Sequence, residues 1–205
     1  MSQTAANLRL EQQFAFLNEA DRLKSVLRAT TLCDASRREN SAEHSWHLAL
    51  YALVLADQAD QADQADARVD IARVIKMLIL HDLVEIDVGD VPIHSAGGTA
   101  HGSAATIAAE TRAADRIFGL LPADLRDELR VLWDEFEAAL TPDAIFAKSL
   151  DRVQPVMANL QSGGGTWVEY SVTAAQLEAR VGVKIAKGAP RLWSWIQAKT
   201  AAFFA

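Results

Sequence analysis

An almost continuous apolar run, Leu78–Ile86, contains three ionisable side chains, those of His81, Asp82 and Glu85. Imidazole and carboxylate groups are costly to bury unless they are paired or bind a cation. Because a segment this apolar is expected inside the fold, its polar groups must find partners elsewhere in the chain. The run therefore predicts a buried polar site around which the rest of the chain is organised.

The size and charge of the chain limit the class of protein that it can form. Its 205 residues are 50% hydrophobic, enough for one substantial core, and we expect a single domain. The net charge of −7 argues against a general affinity for a nucleic-acid backbone. We therefore expect a small-molecule partner and no nucleic-acid polymer.

The single cysteine, Cys33, excludes an intramolecular disulfide and a thiolate zinc cluster, as is typical of proteins in a reducing cytoplasm. The first residues, Met1–Leu10, lack the apolar segment of a secretory signal. The chain also has no run of about 18 uncharged apolar residues, the length that spans a bilayer. These features predict a cytoplasmic protein that does not associate with membranes.

Apolar residues recur at helical spacing along most of the chain, and no segment alternates with period two over a convincing length. Helices are predicted over about 7–28, 41–55, 69–83, 103–120, 122–140, 142–162, 173–186 and 189–203. The third of these is apolar almost all round, which is typical of a central buried helix. The predicted fold is all-α, an irregular bundle of about seven to nine helices.

Local signals mark helix starts and bends. Asn40 and Glu43 have the spacing of a capping box, and Thr141 followed by Pro142 matches an N-cap with proline at the first helical position. Inside the helix that starts there, Pro155 removes a hydrogen-bond donor and predicts a bend.

Two segments are not expected to contribute to the core. Residues 56–67 repeat Ala-Asp-Gln without a large apolar residue, so they form either a solvated extension of the second helix or a mobile connector. Residues 86–102 are rich in glycine and predict a long loop, of a kind that is commonly functional or mobile. A polar loop is also predicted at 29–39.

Two histidines and two aspartates on three predicted helices are candidates for one metal site: His44, His81, Asp82 and Asp151. Neutral imidazoles and carboxylates suit a divalent ion such as Mn²⁺, Fe²⁺, Co²⁺, Ni²⁺ or Zn²⁺, with positions left for water and substrate. In the alternative interpretation the histidines are hydrogen-bonded within the core, and the aspartates cap helices or pair with arginines. Spacing does not choose among the metals.

The sequence around these residues resembles the HD-domain 5′-nucleotidases, which act on deoxyribonucleoside monophosphates. The resemblance runs from about Leu23 to Tyr170. The motifs that carry it are Glu39–Ser45, Leu80–Pro92 and Leu150-Asp151, together with Leu120–Pro122 and Leu132–Glu137, which resemble the eukaryotic-type branch of that family.

The resemblance implies one HD-type helical domain over residues 1–205, with a metal-site core at about 23–170 and C-terminal helices at 171–205 packed on it. It also implies a homodimer that hydrolyses (deoxy)ribonucleoside 5′-monophosphates to nucleoside and phosphate. The implied cofactor is one divalent transition-metal ion, either Mn²⁺, Co²⁺, Fe²⁺, Ni²⁺ or Zn²⁺, with Mg²⁺ as a further candidate.

The resemblance also assigns roles to individual residues. The implied metal ligands are His44, His81, Asp82 and Asp151. Glu85 and Asp82 are the implied catalytic residues, with Glu85 suited to orient or deprotonate the attacking water. Arg28 matches the phosphate-binding arginine, and Asp90 the residue that contacts the sugar and helps select deoxyribose. The aromatic residue common near that arginine is absent, since Ala29 follows Arg28, and base preference stays open.

Two other functions are considered. One is another HD phosphohydrolase, either a cyclic-nucleotide phosphodiesterase or an alarmone hydrolase. It is disfavoured because only His94 and His101 follow the His-Asp pair, and because Ile86 rather than aspartate follows Glu85. The other is a non-catalytic HD ligand-binding module, against which the intact set of implied ligands argues.

Overall fold

The computed structural model describes residues 3–61 and 68–205. The helices in these ranges are α1 (Gln3–Ala20), α2 (Ser41–Val54), α3 (Ile71–Leu80), α4 (Glu85–Val88), α5 (Ala104–Phe118), α6 (Ala123–Ala138), α7 (Pro142–Gln161), α8 (Gly165–Glu169), α9 (Ala174–Leu177), α10 (Val183–Gly188) and α11 (Pro190–Phe203), and the strands are β1 (Leu27–Thr31) and β2 (Arg38–Asn40). The all-α prediction is confirmed, although the described residues form more helices than the seven to nine expected, because four of the helices are short.

The segment before α2 differs from the prediction. The first helix was expected to reach residue 28 but ends at Ala20, and β1 pairs with β2 in an antiparallel two-stranded sheet. The register pairs Leu27 with Asn40 and Thr31 with Arg38, with an irregularity between them. Two short strands contain too few residues for a period-two pattern to stand out. The predicted loop at 29–39 is therefore a hairpin.

The long helix α7 lies at the centre of the bundle and packs against α2, α3, α6 and α10. Its start is as predicted, since the Thr141 hydroxyl accepts a hydrogen bond from the Ala144 amide (3.3 Å) and Pro142 takes the first helical position. The helix continues through Pro155 to Gln161. The capping box of Asn40 and Glu43 at the start of α2 is also confirmed. These two helices carry His44 and Asp151, two of the four implied metal ligands.

The third predicted helix is shorter and less buried than expected. The α-helix ends at Leu80, and His81–Val84 form a 3₁₀ turn. Val74 and Leu78 are fully buried, but Ile79 is 50% exposed. The reason is that α3 packs against α2, α6 and α7 on one side only. The prediction of a helix buried all round was wrong, and the turn after it projects His81 and Asp82 toward α7.

Two predicted loops contain local structure. Residues 56–61 of the Ala-Asp-Gln repeat form a 3₁₀ helix, and the rest of the repeat lies outside the described residues. The segment 86–102 contains the end of α4 and a 3₁₀ turn at Ser95–Gly98, and it buries His94 to 7% exposure. Among the helices of the described ranges, none combines the length and the hydropathy needed to cross a bilayer.

Large apolar side chains remain exposed on α1 and α2. On α1 only Phe16 is buried. The exposed apolar residues of the two helices are Leu8, Leu10, Phe14 and Leu17 on α1 and Trp46, Leu50, Leu53 and Val54 on α2. The four on α2 recur at the spacing of one helical face, which we call the α2 apolar face. Helix α1 thus contributes Phe16 to the buried core, with Ala20 packed against it.

Candidate metal centre and its cavity

The four implied metal ligands come together from three elements. His44 lies in the first turn of α2, His81 and Asp82 in the turn after α3, and Asp151 in the middle of α7. All four are buried. The capping box fixes where α2 begins, and the end of α3 turns the His-Asp pair inward, so residues distant in sequence meet at one point.

Three of the four form a compact cluster. His44, His81 and Asp151 each offer a ligand atom, and these atoms lie within 4.8 Å of one another. The Asp151 Oδ1 atom is 3.1 Å from His44 Nε2 and 3.7 Å from His81 Nε2. Asp82 adjoins the cluster through its Oδ1 atom, 2.9 Å from His81 Nε2. The residues predicted from sequence are thus brought together.

The donor set fits a divalent cation. The His81 Nδ1 atom donates to the Leu78 carbonyl (2.8 Å), so Nε2 carries the lone pair of the neutral ring. That Nε2 atom is buried without a hydrogen-bond partner, although it faces two carboxylates. Burial disfavours the charged ring, but Asp82 and Asp151 outweigh it and raise the pKa of His81 to about 10. The two carboxylates therefore favour a positive charge at Nε2, which a bound metal ion would supply in place of a proton.

His44 is oriented by a buried relay. Its Nδ1 atom lies 3.0 Å from Gln154 Oε1, which can only accept, so Nδ1 donates and Nε2 faces Asp151. The Gln154 amide in turn donates to Glu39 Oε1 (2.9 Å). Sequence reasoning missed both supporting residues. Gln154 lies three residues after Asp151, on the same side of α7, and that spacing was the available signal.

Arg28 projects from β1 into a group of carboxylates. Its Nη1 atom is 2.7 Å from Asp82 Oδ2, 3.6 Å from Glu85 Oε1 and 4.0 Å from Asp90 Oδ1. Burial opposes the charge on Arg28, but these three carboxylates raise its pKa above the ordinary value. Asp90 is held against β1, since its Oδ2 atom accepts from the Ala29 amide (3.0 Å). The guanidinium therefore stays charged beside the metal cluster.

The pKa values of Glu85 and Asp82 are shifted in opposite directions. Burial, strengthened by the charge of Asp82, raises the pKa of Glu85 well above its usual range, against the effect of Arg28. Burial also acts on Asp82, but His81 and Arg28 hold its pKa below the usual range. The Ser41 hydroxyl donates to Glu85 Oε2. Two neighbouring carboxylates with separated pKa values are typical of an acid–base site.

These groups line a cavity of about 540 Å³ that follows α7. One side, here called the aromatic arm, is formed by Thr30, Asp90, Asn159, Trp167 and Tyr170. The other side, the basic arm, is formed by Lys148, Arg152 and Lys184, with His101 beside them. Sequence reasoning missed the basic arm, because single basic residues on amphipathic helices look the same as solvated ones.

Comparison with known families identifies the class of protein. A family model described as HD domain matches residues 20–193. The chain therefore belongs to the HD domain family. This family implies a divalent metal, and the cluster of His44, His81 and Asp151 is compatible with one.

The chain is also similar to individual proteins of known structure or known name. A crystal structure of a "predicted metal-dependent phosphohydrolase" from Magnetospirillum magnetotacticum MS-1 is 44% identical, with a TM-score of 0.84 over 96% of this chain and 95% of that one. The 5′-deoxynucleotidase HDDC2 of Homo sapiens is 29% identical over 143 residues, which are 69% of this chain and 64% of the relative. The chain thus spans about two thirds of the curated relative's length. The PH0347 protein of Pyrococcus horikoshii OT3, 21% identical with a TM-score of 0.65, shares the fold over 91% of this chain and 99% of that one.

Proposed function

We propose that the chain is a metal-dependent phosphomonoesterase that hydrolyses nucleoside 5′-monophosphates, preferably deoxy, to nucleoside and phosphate. One observation carries the proposal: the buried cluster with the unpartnered His81 Nε2 atom opens into the same cavity as Arg28 and Glu85. A cation site, a phosphate-binding cation and an acid–base group are thus adjacent. The names of the human and Magnetospirillum relatives support the same chemistry.

The metal ion is held by His44, His81, Asp82 and Asp151 in this proposal. Imidazole nitrogen combined with carboxylate oxygen favours Mn²⁺, Fe²⁺, Co²⁺, Ni²⁺ or Zn²⁺, whereas Mg²⁺ prefers oxygen alone. When bound, the ion supplies Lewis acidity that polarises a phosphoryl oxygen and lowers the pKa of a water molecule. The Gln154 contact fixes the His44 ring for this role.

Arg28 binds the phosphate dianion. Its planar guanidinium can hold two phosphate oxygens at once. The contact with Asp82 uses Nη1, and the Nε atom of Arg28 is buried without a hydrogen-bond partner. That Nε atom lies 3.9 Å from the buried carboxylate of Glu39, so phosphate would be bound through the Nη atoms of the guanidinium.

Glu85 handles the proton of the attacking water. Its Oε2 atom is held by Ser41, while Oε1 faces Arg28 across 3.6 Å. A carboxylate with a raised pKa takes up a proton readily as the water attacks phosphorus. Asp82 contributes by holding Arg28 in place through its Oδ2 atom, while its Oδ1 atom lies 2.9 Å from His81 Nε2.

Asp90 and the aromatic arm bind the nucleoside. The Asp90 carboxylate lines the cavity beside Arg28 and accepts hydrogen bonds from sugar hydroxyls, which is a means of selecting deoxyribose. Tyr170 is partly exposed on this arm and offers its ring to a base, in place of the aromatic residue missing after Arg28.

We further propose a cytoplasmic homodimer that pairs through the α2 apolar face. Trp46, Leu53 and Val54 are more than 60% exposed there, and a contiguous apolar patch on a water-soluble domain marks an interface. Trp46→Glu should shift the sedimentation of the protein from dimer to monomer. A wild-type monomer at high protein concentration would refute this assembly.

A substrate panel tests the activity. Phosphate release is measured with nucleoside 5′- and 3′-monophosphates, cyclic nucleotides and guanosine tetraphosphate, with chelator and after adding back each divalent ion. We expect release from 5′-monophosphates alone, lost with chelator and restored by one or more of the five transition metals. Release that survives chelation, or no release from any 5′-monophosphate, would refute the proposal.

A further inference from the structure

The basic arm holds positive charges that its own surroundings do not neutralise. The Nη2 atom of Arg152 donates to His101 Nε2 (2.9 Å), and its nearest carboxylate is Asp151, at 3.6 Å. The Nε atom of Arg152 is buried without a hydrogen-bond partner. Within the described ranges, the Lys184 ammonium makes neither a hydrogen bond nor an ion pair. Arg152 thus pairs only with Asp151, which also faces the two histidines, and both Arg152 and Lys184 line the cavity.

The remaining groups nearby do not supply the missing charge. Lys148 forms an ion pair with Glu137, since the Lys148 ammonium lies 2.9 Å from Glu137 Oε1, and the pair carries no net charge. Glu110 also lines the cavity, and burial and the charge of Glu137 raise its pKa, which disfavours its charged form. His101 is neutral, since burial and the charge of Arg152 lower its pKa to about 4. The arm therefore presents two cations, Arg152 and Lys184, whose nearest carboxylates also serve other groups.

The helices α7 and α10, which carry these cations, pack closely against each other. The Ser149 hydroxyl on α7 lies 3.2 Å from the Lys184 carbonyl on α10 and 2.9 Å from the Ile145 carbonyl. Gly188 allows this close approach, because a Cβ atom there would lie 2.4 Å from the Ser149 hydroxyl oxygen. Partial burial lowers the pKa of Lys184, as do the charges of Arg152 and Lys148. The like charges are thus held near one another by the packing of two helices.

We propose that the basic arm binds a second phosphate group, in addition to the one held beside the metal cluster by Arg28. A guanidinium and an ammonium that converge on a cavity are the groups that proteins use to bind phosphate. The ligand is either the inorganic phosphate released by hydrolysis or a second phosphate group carried by the same nucleotide. The site goes beyond the proposed activity, since the binding itself needs no turnover.

Calorimetric titration of the full chain with inorganic phosphate in the presence of chelator tests the binding. Without metal, the carboxylates around Arg28 repel phosphate, so the basic arm is the site that remains. We expect saturable binding by wild-type protein, weakened roughly tenfold in Lys184→Gln, because a charge-assisted hydrogen bond is lost. Lys184→Arg should retain the binding, and Lys199→Gln, which removes an exposed charge far from the cavity, should match wild type. No binding by wild type, or equal binding by Lys184→Gln, would overturn the inference.

Two further measurements separate the sources of the phosphate. If released phosphate occupies the arm, Lys184→Gln weakens product inhibition of 5′-monophosphate hydrolysis. If a second phosphate group of the nucleotide occupies it, the variant weakens the binding of a nucleoside 3′,5′-bisphosphate more than that of the 5′-monophosphate. A variant that changes neither value would count against the inference. A protein that hydrolyses no 5′-monophosphate but shows the titration result would refute the proposed activity alone.

Discussion

The metal centre and the basic arm adjoin one another on α7 but are stabilised differently. At the centre, buried contacts from β1, α2 and the turn after α3 surround Asp151, and the His44 ring is fixed through Gln154. In the basic arm, Arg152 has a buried Nε atom without a partner, and Lys184 lies at the edge of the cavity. The contrast suggests that the metal centre is preorganised for a tightly bound cation, and the basic arm for a reversibly bound anion.

The largest change in activity is expected from a substitution at the metal centre. Asp151→Asn removes the carboxylate shared by both histidines, so phosphate release should fall on the order of 10³-fold and bound metal should be lost. Initial rates and metal analysis of the purified protein check this result. Asp127→Asn changes an exposed aspartate in the same way and serves as the control. If Asp151→Asn still binds phosphate in the presence of chelator, the basic arm binds phosphate independently of the metal centre.

Gln154→Leu tests the support of the centre. The substitution removes the acceptor for His44 Nδ1, so metal affinity should fall about 10–100-fold, which is typical for residues that orient a metal ligand. Competition with a coloured chelator measures the affinity. Gln197→Leu, at an exposed position of α11, is the matched control. An unchanged affinity in Gln154→Leu would mean that the His44 ring is held by other contacts.

Arg28→Lys tests the phosphate contact of the centre. The charge remains but the planar fork is lost, so KM for a 5′-monophosphate should rise roughly tenfold with a smaller change in kcat. Steady-state kinetics separate the two constants. Arg126→Lys, on the exposed side of α6, should behave as wild type. A large fall in kcat with constant KM would instead mean that Arg28 stabilises the transition state rather than the bound substrate.

The smallest expected effect is a change in the pH dependence of stability, caused by His101 in the basic arm. Burial and Arg152 lower the pKa of folded His101 to about 4, below the ordinary value of 6.5. The unfolded chain therefore takes up the proton first, and the stability present above pH 6.5 is lost as the pH falls toward 4. His101→Gln should show a smaller fall in the urea midpoint between pH 7 and pH 4.5 than wild type. Equal falls in the two proteins would show that His101 is charged in the folded state.

Most residues of the candidate metal centre could be predicted from the sequence because they lie in motifs. The capping box before His44 and the polar groups in the Leu78–Ile86 run are local signals, and the structure confirms that these residues meet. The supporting Gln154 and the basic arm have no such signal. Their positions depend on how α7 meets α2 and α10, which is a tertiary contact.

The errors in the predicted fold have related causes. The strand β1 is too short for its period to be distinguished from a helix end, and so Arg28 was expected at the end of a helix. The exposure of Ile79 depends on which sides of α3 have neighbours, and composition does not determine that. Helix starts with a cap were located correctly, including Thr173 before α9, whereas the short helix α8 depends on packing rather than on local pattern.

The most direct test of the central claim is anomalous diffraction from crystals grown with Mn²⁺. The account predicts one strong anomalous peak per chain, bonded to His44, His81, Asp82 and Asp151 together, and its loss in Asp151→Asn. A peak bonded to other residues, or a metal bound without the two histidines, would contradict the account.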